Sequence, residues 1–197
     1  MKESFSALML IFLLIGLSML VVTVQLAKAE PLHDIAIINI TLCKTVVGVY
    51  YPVHINVTVE NQGDFTETFN VTVYANATAV GLQSTMLSSG NLSSITFTWE
   101  AGYRMGNYTI SANATILSGE TDTADNTFTD DWVFVTIPGD IDGDRDVDIF
   151  DVVHMAKAYG TEKGTPRYKP VCDIDDDGDV DIFDLVSGAG DTYGWHW

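Results

Sequence analysis

The run Ile55-Asn56-Val57-Thr58-Val59-Glu60, closed by Asn61-Gln62-Gly63-Asp64, carries the pattern on which the fold turns. Apolar Ile55, Val57 and Val59 alternate with polar Asn56, Thr58 and Glu60, the period of a strand with one dry face and one wet face. The Asn, Gly and Asp that follow are turn formers. The alternation recurs at Phe69, Val71 and Val73, at Ile95, Phe97 and Trp99, and at Tyr108, Ile110, Ala112 and Ala114. Asp34 to Thr41 and Phe128 to Thr136 read as two more strands, and a weaker pattern lies near Leu82 to Leu87. Ser88-Ser89-Gly90-Asn91, Ala101-Gly102 and Ser118-Gly119 supply further turns. About seven short strands in residues 30–137, with no competing helical period, predict an immunoglobulin-like β-sandwich.

Ahead of the sandwich, Lys2 precedes an uncharged apolar run from Ala7 to Val24, and Ala27-Lys28-Ala29 stands before Glu30. Small residues three and one positions before a cut are what a signal peptidase reads, so residues 1–29 are expected to be a signal peptide. The run is 18 residues long, just enough to span a bilayer, and an uncleaved anchor is the alternative. Either way the remainder is expected outside the cell, secreted or at the cell surface, touching a membrane through this segment alone.

The chain of 197 residues has 27 acidic against 9 basic side chains, a formal charge of −18. Nucleic acid is excluded as a partner, because each phosphate would be repelled. Residues 30–137 hold 11 acids and 2 bases, Lys44 and Arg104; residues 138–197 hold 15 acids and 5 bases in little more than half the length. Repulsion at that density opposes a compact state unless a cation is bound.

An internal repeat at an offset of 33 shows where the cation would go. Asp140-Ile-Asp-Gly-Asp-Arg-Asp-Val-Asp-Ile-Phe-Asp151 matches Asp173-Ile-Asp-Asp-Asp-Gly-Asp-Val-Asp-Ile-Phe-Asp184 at 10 of 12 positions. Calcium takes six to eight oxygens, and a 12-residue loop supplies them from positions 1, 3, 5, 9 and 12 with a backbone carbonyl at 7. Those positions are Asp140, Asp142, Asp144, Asp148 and Asp151 with Asp146 in the first copy (140–151). They are Asp173, Asp175, Asp177, Asp181 and Asp184 with Asp179 in the second (173–184). Magnesium, which keeps most of its waters, has little use for five carboxylates. Two bound Ca2+ ions are expected, with the second loop binding more tightly because Gly178 occupies the sharp turn at position 6 where the first has Arg145. Val147 and Val180, at position 8, are expected to pair the loops by a short β-bridge. Helices are expected from Ile149 to Tyr159 and from Ile182 to about Asp191.

Two resemblances follow. Asn61-Gln62-Gly63-Asp64, Phe69-Asn70-Val71-Thr72-Val73-Tyr74, Phe97-Thr98-Trp99, Gly106-Asn107-Tyr108-Thr109-Ile110 and Glu120-Thr121-Asp122-Thr123-Ala124-Asp125-Asn126 resemble the CARDB module, a cell-adhesion-related domain of bacterial and archaeal surface proteins. Residues 138–197, a calcium loop followed by one helix, twice, are similar to a type I dockerin. The expected organisation is thus a mainly β Ig-like sandwich at 30–137 plus a small α calcium-loop-helix dockerin-like domain at 138–197. The dockerin resemblance implies folding coupled to calcium and binding of a cohesin domain through positions 10 and 11 of each loop, here Ile149, Phe150, Ile182 and Phe183. The alternative for these four is burial in the small core. Near-identity of the copies implies docking in two orientations related by a two-fold.

Asn-x-Ser/Thr sequons begin at Asn39, Asn56, Asn70, Asn76, Asn91, Asn107 and Asn113, all within the sandwich, and partial glycosylation is expected. His33 and His54 have no nucleophile at triad spacing, and Glu60, Glu100 and Glu120 fall at strand ends or turns, so no catalytic residue is expected. Cys43 and Cys172 leave open an interdomain disulfide or two thiols, and the aromatic ending Tyr193-Gly194-Trp195-His196-Trp197 is expected to fold back on Pro138 or the repeat core, with stacking on sugar as the alternative. The function expected is a calcium-binding adhesion or assembly protein without catalysis, docking to a cohesin-type partner. The alternatives are a carbohydrate-binding accessory of a polysaccharide-degrading complex, contacting a cell-surface glycan, and a calcium-stabilised structural module.

Overall fold

The computed structural model describes residues 30–102, 104–190 and 192–194; the expected signal peptide or anchor and the final Trp195-His196-Trp197 lie outside the described residues. Eight strands form the sandwich: β1 (Ile35–Leu42), β2 (Val46–Gly48), β3 (Pro52–Asn61), β4 (Glu67–Ala75), β5 (Thr78–Leu87), β6 (Leu92–Glu100), β7 (Gly106–Ala114) and β8 (Thr127–Thr136). One sheet has the order β1-β3-β6 and the other β2-β8-β7-β4-β5. The sheets meet through the alternating residues of the sequence pattern. Val53, Ile55, Val57 and Val59 of β3 are fully buried and face a layer built from Val71, Val73, Ile110, Ala112, Val133 and Val135. The wet set of the same strand, His54, Asn56, Thr58 and Glu60, is half-buried. Burial of each aliphatic side chain contributes about 1.5–3 kcal/mol, and this layer holds the sandwich together.

The turn after β3 forms as its residues dictate. Asn61 is fully buried, and its amide donates to the carbonyls of Phe65 and Leu87, both at 2.7 Å, while its Oδ1 accepts from Gly63 N–H at 3.1 Å. Strand β5 is longer than its weak pattern suggests because it is an edge strand, with Leu82 and Met86 in solvent. Strand β2 has only three residues and lies parallel to β8, Val46 opposite Phe134 and Gly48 opposite Thr136. No period can be read in so short a run. Gly48 is required by contact, since a Cβ there would lie 2.7 Å from the Pro138 Cα.

Past Thr136 the chain builds a smaller unit: helix α1 (Ile149–Ala158), β9 (Thr161–Glu162), β10 (Asp179–Val180), helix α2 (Ile182–Leu185) and a π-helical turn at Val186–Gly190. Its core is thin, Ile141, Met155, Ala158, Cys172, Ile174 and Val180, and the half-buried Tyr51 of the sandwich packs against it. The expected bridge between Val147 and Val180 is replaced by two others. Val180 pairs with Thr161 in the β9–β10 ribbon, and the Val147 carbonyl accepts from Gly194 N–H at 2.7 Å. Each loop is thus zipped to the segment that follows the other loop's helix partner, which satisfies the same backbone groups without bringing the loops' apolar positions together. Thr192 donates to the Pro138 carbonyl at 2.7 Å, so the carboxyl-terminal segment does fold back as far as it is described.

Candidate metal centre

Both acidic registers close on themselves in the same way. In the first loop Asp151 is buried and accepts from the N–H groups of Ile141 (2.7 Å), Asp142 (3.3 Å) and Asp148 (2.8 Å). In the second, Asp184 is fully buried and accepts from Ile174 (2.6 Å), Asp175 (3.3 Å) and Asp181 (2.7 Å). Asp148 and Asp181 cap the helices that follow, each in a reciprocal box with the acid three residues on. Position 1 is held likewise: Asp140 accepts from Gly143 (2.7 Å) and Arg145 (3.0 Å), and Asp173 accepts from Gly178 at 3.1 Å and from the Tyr168 hydroxyl. Thr136, at the end of β8, donates its hydroxyl to Asp140.

The geometry gathers oxygens within 4.8 Å of one another in four groups: Asp140, Asp142 and Asp151; Asp146, Asp148 and Asp151; Asp173, Asp175 and Asp184; Asp179, Asp181 and Asp184. Positions 1, 3, 7, 9 and 12 of both registers are represented. Asp144 and Asp177 stand outside these groups, turned to solvent, where each accepts from the N–H two residues on at 3.1 Å. Burial pushes the Asp140 and Asp184 carboxyls above the usual range against the pull of the N–H groups they accept, and the charge of Asp151 or Asp173 pushes the same way. The donor set suits a hard divalent cation. Three of its carboxylate oxygens, on Asp146, Asp173 and Asp179, are buried with no hydrogen-bond partner, a costly state that a cation would relieve. Arg145 adopts φ 84° where Gly178 has φ 101°, so the first loop carries a side chain in backbone territory that favours glycine.

Ile149, Phe150, Ile182 and Phe183 are all exposed, between 47% and 65%, and none joins the small core. Val153 and Val186 extend this apolar surface. Of the sequon asparagines, Asn39, Asn70, Asn76, Asn91 and Asn107 are exposed and Asn56 and Asn113 half-buried. The Asn113 amide donates to Thr127 at 2.8 Å, and Asn56 Oδ1 accepts from Thr96 at 2.7 Å. Both sandwich histidines and Glu120 have structural partners, while one buried carboxylate oxygen each on Asp34 and Asp125 has none. His33 lies 2.5 Å from Glu67 and stacks on Phe65, and Glu120 accepts from Ile35 N–H and the Asn126 amide. Cys43 and Cys172 are free thiols; burial raises Cys43 and raises Cys172 to about 11. Sequence reasoning missed Lys44, a buried cation that donates to the Asp173 carbonyl at 3.1 Å. An isolated lysine beside a strand gives no sign of where its ammonium will end.

The CARDB family model matches residues 33–130. These residues form a CARDB domain. The match ends before the first acidic loop. Among solved structures, the CARDB domain of a Pyrococcus furiosus protein in complex with di-metal ions is similar at 25% identity and a TM-score of 0.47, over 56% of this chain and 99% of that one. A Methanosarcina acetivorans domain, named as part of a cell surface protein, is similar at 27% identity and TM-score 0.43, over 53% of this chain and 92% of that one. A Listeria innocua β-glucosidase is similar at 13% identity and TM-score 0.39, over 55% of this chain but only 16% of its own. No curated protein matches the chain. Among the described residues no helix is long and apolar enough to cross a membrane.

Proposed function

We propose that this is a secreted or cell-surface adhesion and assembly protein, in which a CARDB sandwich is carried beside a dockerin-like unit that binds two calcium ions and docks a cohesin-like partner, with no catalysis of its own. The observation that carries this reading is the unpaired buried carboxylate oxygens of Asp146, Asp173 and Asp179, set among acids already fixed by backbone N–H groups at equivalent positions of two loops. Calcium at these loops would be held by Asp140, Asp142, Asp146, Asp148 and Asp151 and by Asp173, Asp175, Asp179, Asp181 and Asp184. It would neutralise the acidic cluster and order the helices that follow. The docking face is then the exposed set Ile149, Phe150, Ile182 and Phe183, two equivalent apolar patches of the kind that anchor protein interfaces. The extracellular setting is supported by the CARDB domain and by the apolar amino-terminal run.

A second reading is favoured by one observation. A cleft of about 650 Å³ at one end of the sandwich is lined by Trp99, Tyr108, Asn76, Asn107 and Arg104, aromatic and polar groups of the kind that bind sugars. Affinity electrophoresis of the full chain on polysaccharides tests it: retardation supports glycan binding and unaltered migration rejects it. The docking reading is tested by immobilising the full chain and presenting cohesin-like domains with calcium or with chelator. Calcium-dependent capture is expected, and equal capture in both conditions would contradict it.

A further inference from the structure

The two loops differ at positions 4 and 6, and both positions have contacts with the sandwich: Arg145, at position 6 of the first loop, lies over the Phe134 ring of β8, 5.7 Å from its centroid, and position 4 meets the sandwich in both loops. The first loop has Gly143 there and the second Asp176, both with positive φ, 80° and 64°. Glycine adopts that conformation freely, and aspartate is among the few other residues that enter it. A Cβ on Gly143 would meet Val46 at 3.4 Å and Phe134 at 3.6 Å, ordinary contact with apolar residues of β2 and β8, so this register position of the first loop faces an apolar patch of the sandwich. In the second loop the added carboxylate reaches the sandwich directly. Asp176 Oδ2 lies 2.6 Å from His54 Nε2 on β3, and Oδ1 lies 3.8 Å from Lys44 Nζ. Asp176 belongs to none of the convergent carboxylate groups. Its neighbour Asp175 belongs to the proposed ligand set, and the Lys44 ammonium, with 2% of its side chain exposed, also donates to the backbone carbonyl of Asp173, another member of that set.

We propose that Asp176 is a positioning residue which, through Lys44 and His54, ties calcium occupancy of the second loop to the sandwich. This rests on the calcium reading above. Metal ordering of the second loop fixes the left-handed backbone at Asp176, and a contact that exists only in the ordered loop is reinforced by whatever binds there; the coupling is reciprocal. His54 passes the constraint on. Its N–H donates to Cys43 Sγ at 3.1 Å and its carbonyl accepts from Cys43 N–H at 3.0 Å, next to the end of the β1–β3 ladder where Leu42 faces Ile55. The consequence is that the sandwich reads the ion state of the second loop, and the adhesion domain and the loop unit stiffen together.

Hydrogen exchange on the full chain, in calcium and in chelator, tests this with residue resolution. In the wild type, calcium is expected to slow exchange both in residues 173–184 and in residues 43–55, by roughly fivefold or more. Asp176→Gly keeps every expected ligand and places at position 4 the residue the first loop already uses; it should retain the slowing in 173–184 and lose it in 43–55. Lys44→Met, of similar shape without the charge, should behave the same and serves if the glycine variant leaves the loop unordered in calcium. Calcium-dependent slowing at 173–184 with none at 43–55 in the wild type would overturn the proposal, as would an undiminished response at 43–55 in both variants. Absence of any calcium response in the wild-type loops would instead strike at the calcium reading itself and carry the coupling down with it.

Discussion

Asp184→Asn isolates the ion from the scaffold. Asp184 is fully buried at position 12 of the second loop, where Oδ1 accepts from Ile174 and Asp175 and Oδ2 from Asp181. The asparagine keeps the volume and one carbonyl-type oxygen, so the N–H groups of Ile174 and Asp175 retain their acceptor. The Asp181 N–H loses one, at a cost of about 1–3 kcal/mol. Set against that in chelator is relief of a carboxylate which burial holds above its ordinary range. The chelated variant should therefore stay close to the chelated wild type. Calcium separates them: at about a hundredfold over its dissociation constant each occupied site adds about 2.7 kcal/mol, so two sites add about 5.4 and the variant, left with the first loop, about half of that. For a body of this size the missing half corresponds to about 5–11 °C in melting temperature. Thermal melts by circular dichroism of both proteins, each in calcium and in chelator, give the two increments. An undiminished calcium increment in Asp184→Asn would refute the assignment of position 12 as a ligand.

The other predictions follow from the same geometry. Arg145→Gly removes a side chain from positive φ and a positive charge from beside the first cage, and should tighten the weaker of the two calcium affinities by about tenfold, bringing the two isotherms in a calorimetric titration together; two affinities that remain as far apart as in the wild type would contradict it. In chelator, Asp140 and Asp184 have folded values above the ordinary 3.8, so their contribution to stability is fully present below 3.8 and is lost as pH rises through the raised values. Chelated protein should accordingly gain stability as the pH is lowered from neutrality through the raised values, and in calcium the trend should invert because the ion requires ionised acids; melts over an acidic pH series with and without calcium check the sign. Phe150→Ser and Phe183→Ser act on residues 63% and 65% exposed, so each should change stability by less than about 0.5 kcal/mol. Either single change should leave one docking orientation intact, and the double change should abolish capture of a cohesin-like domain in a binding assay.

The sandwich was legible because its core residues alternate: Val53 to Val59 and Val71 to Val73 are buried at every second position, and the turn at Asn61 is closed by that residue's own amide. The acidic registers stand out in the sequence by their fixed spacing; in the structure the acids at positions 1, 3 and 12 and those at 7, 9 and 12 gather in threes, whereas position 5, expected among the ligands, is turned to solvent. What stayed hidden depends on contacts between distant segments. Strand β2 is three residues long and is stabilised by β8, not by its own pattern. The pairing of Val180 with Thr161 depends on where the chain returns after α1. Lys44 lies 129 residues from the carbonyl it binds, and the difference between Gly143 and Asp176 looks like a neutral change until the sandwich is seen against position 4 of both loops. The exposure of Ile149 and Ile182 was equally undecided by pattern, since an aliphatic residue at a helix start serves a core as readily as a surface.

Calorimetric titration of calcium into the metal-stripped full chain tests the central claim most directly. Two binding events with affinities at or below the millimolar range are predicted, the tighter one lost in Asp184→Asn. A flat titration up to millimolar calcium would contradict the claim and leave the paired acidic loops without the ion around which this account is built.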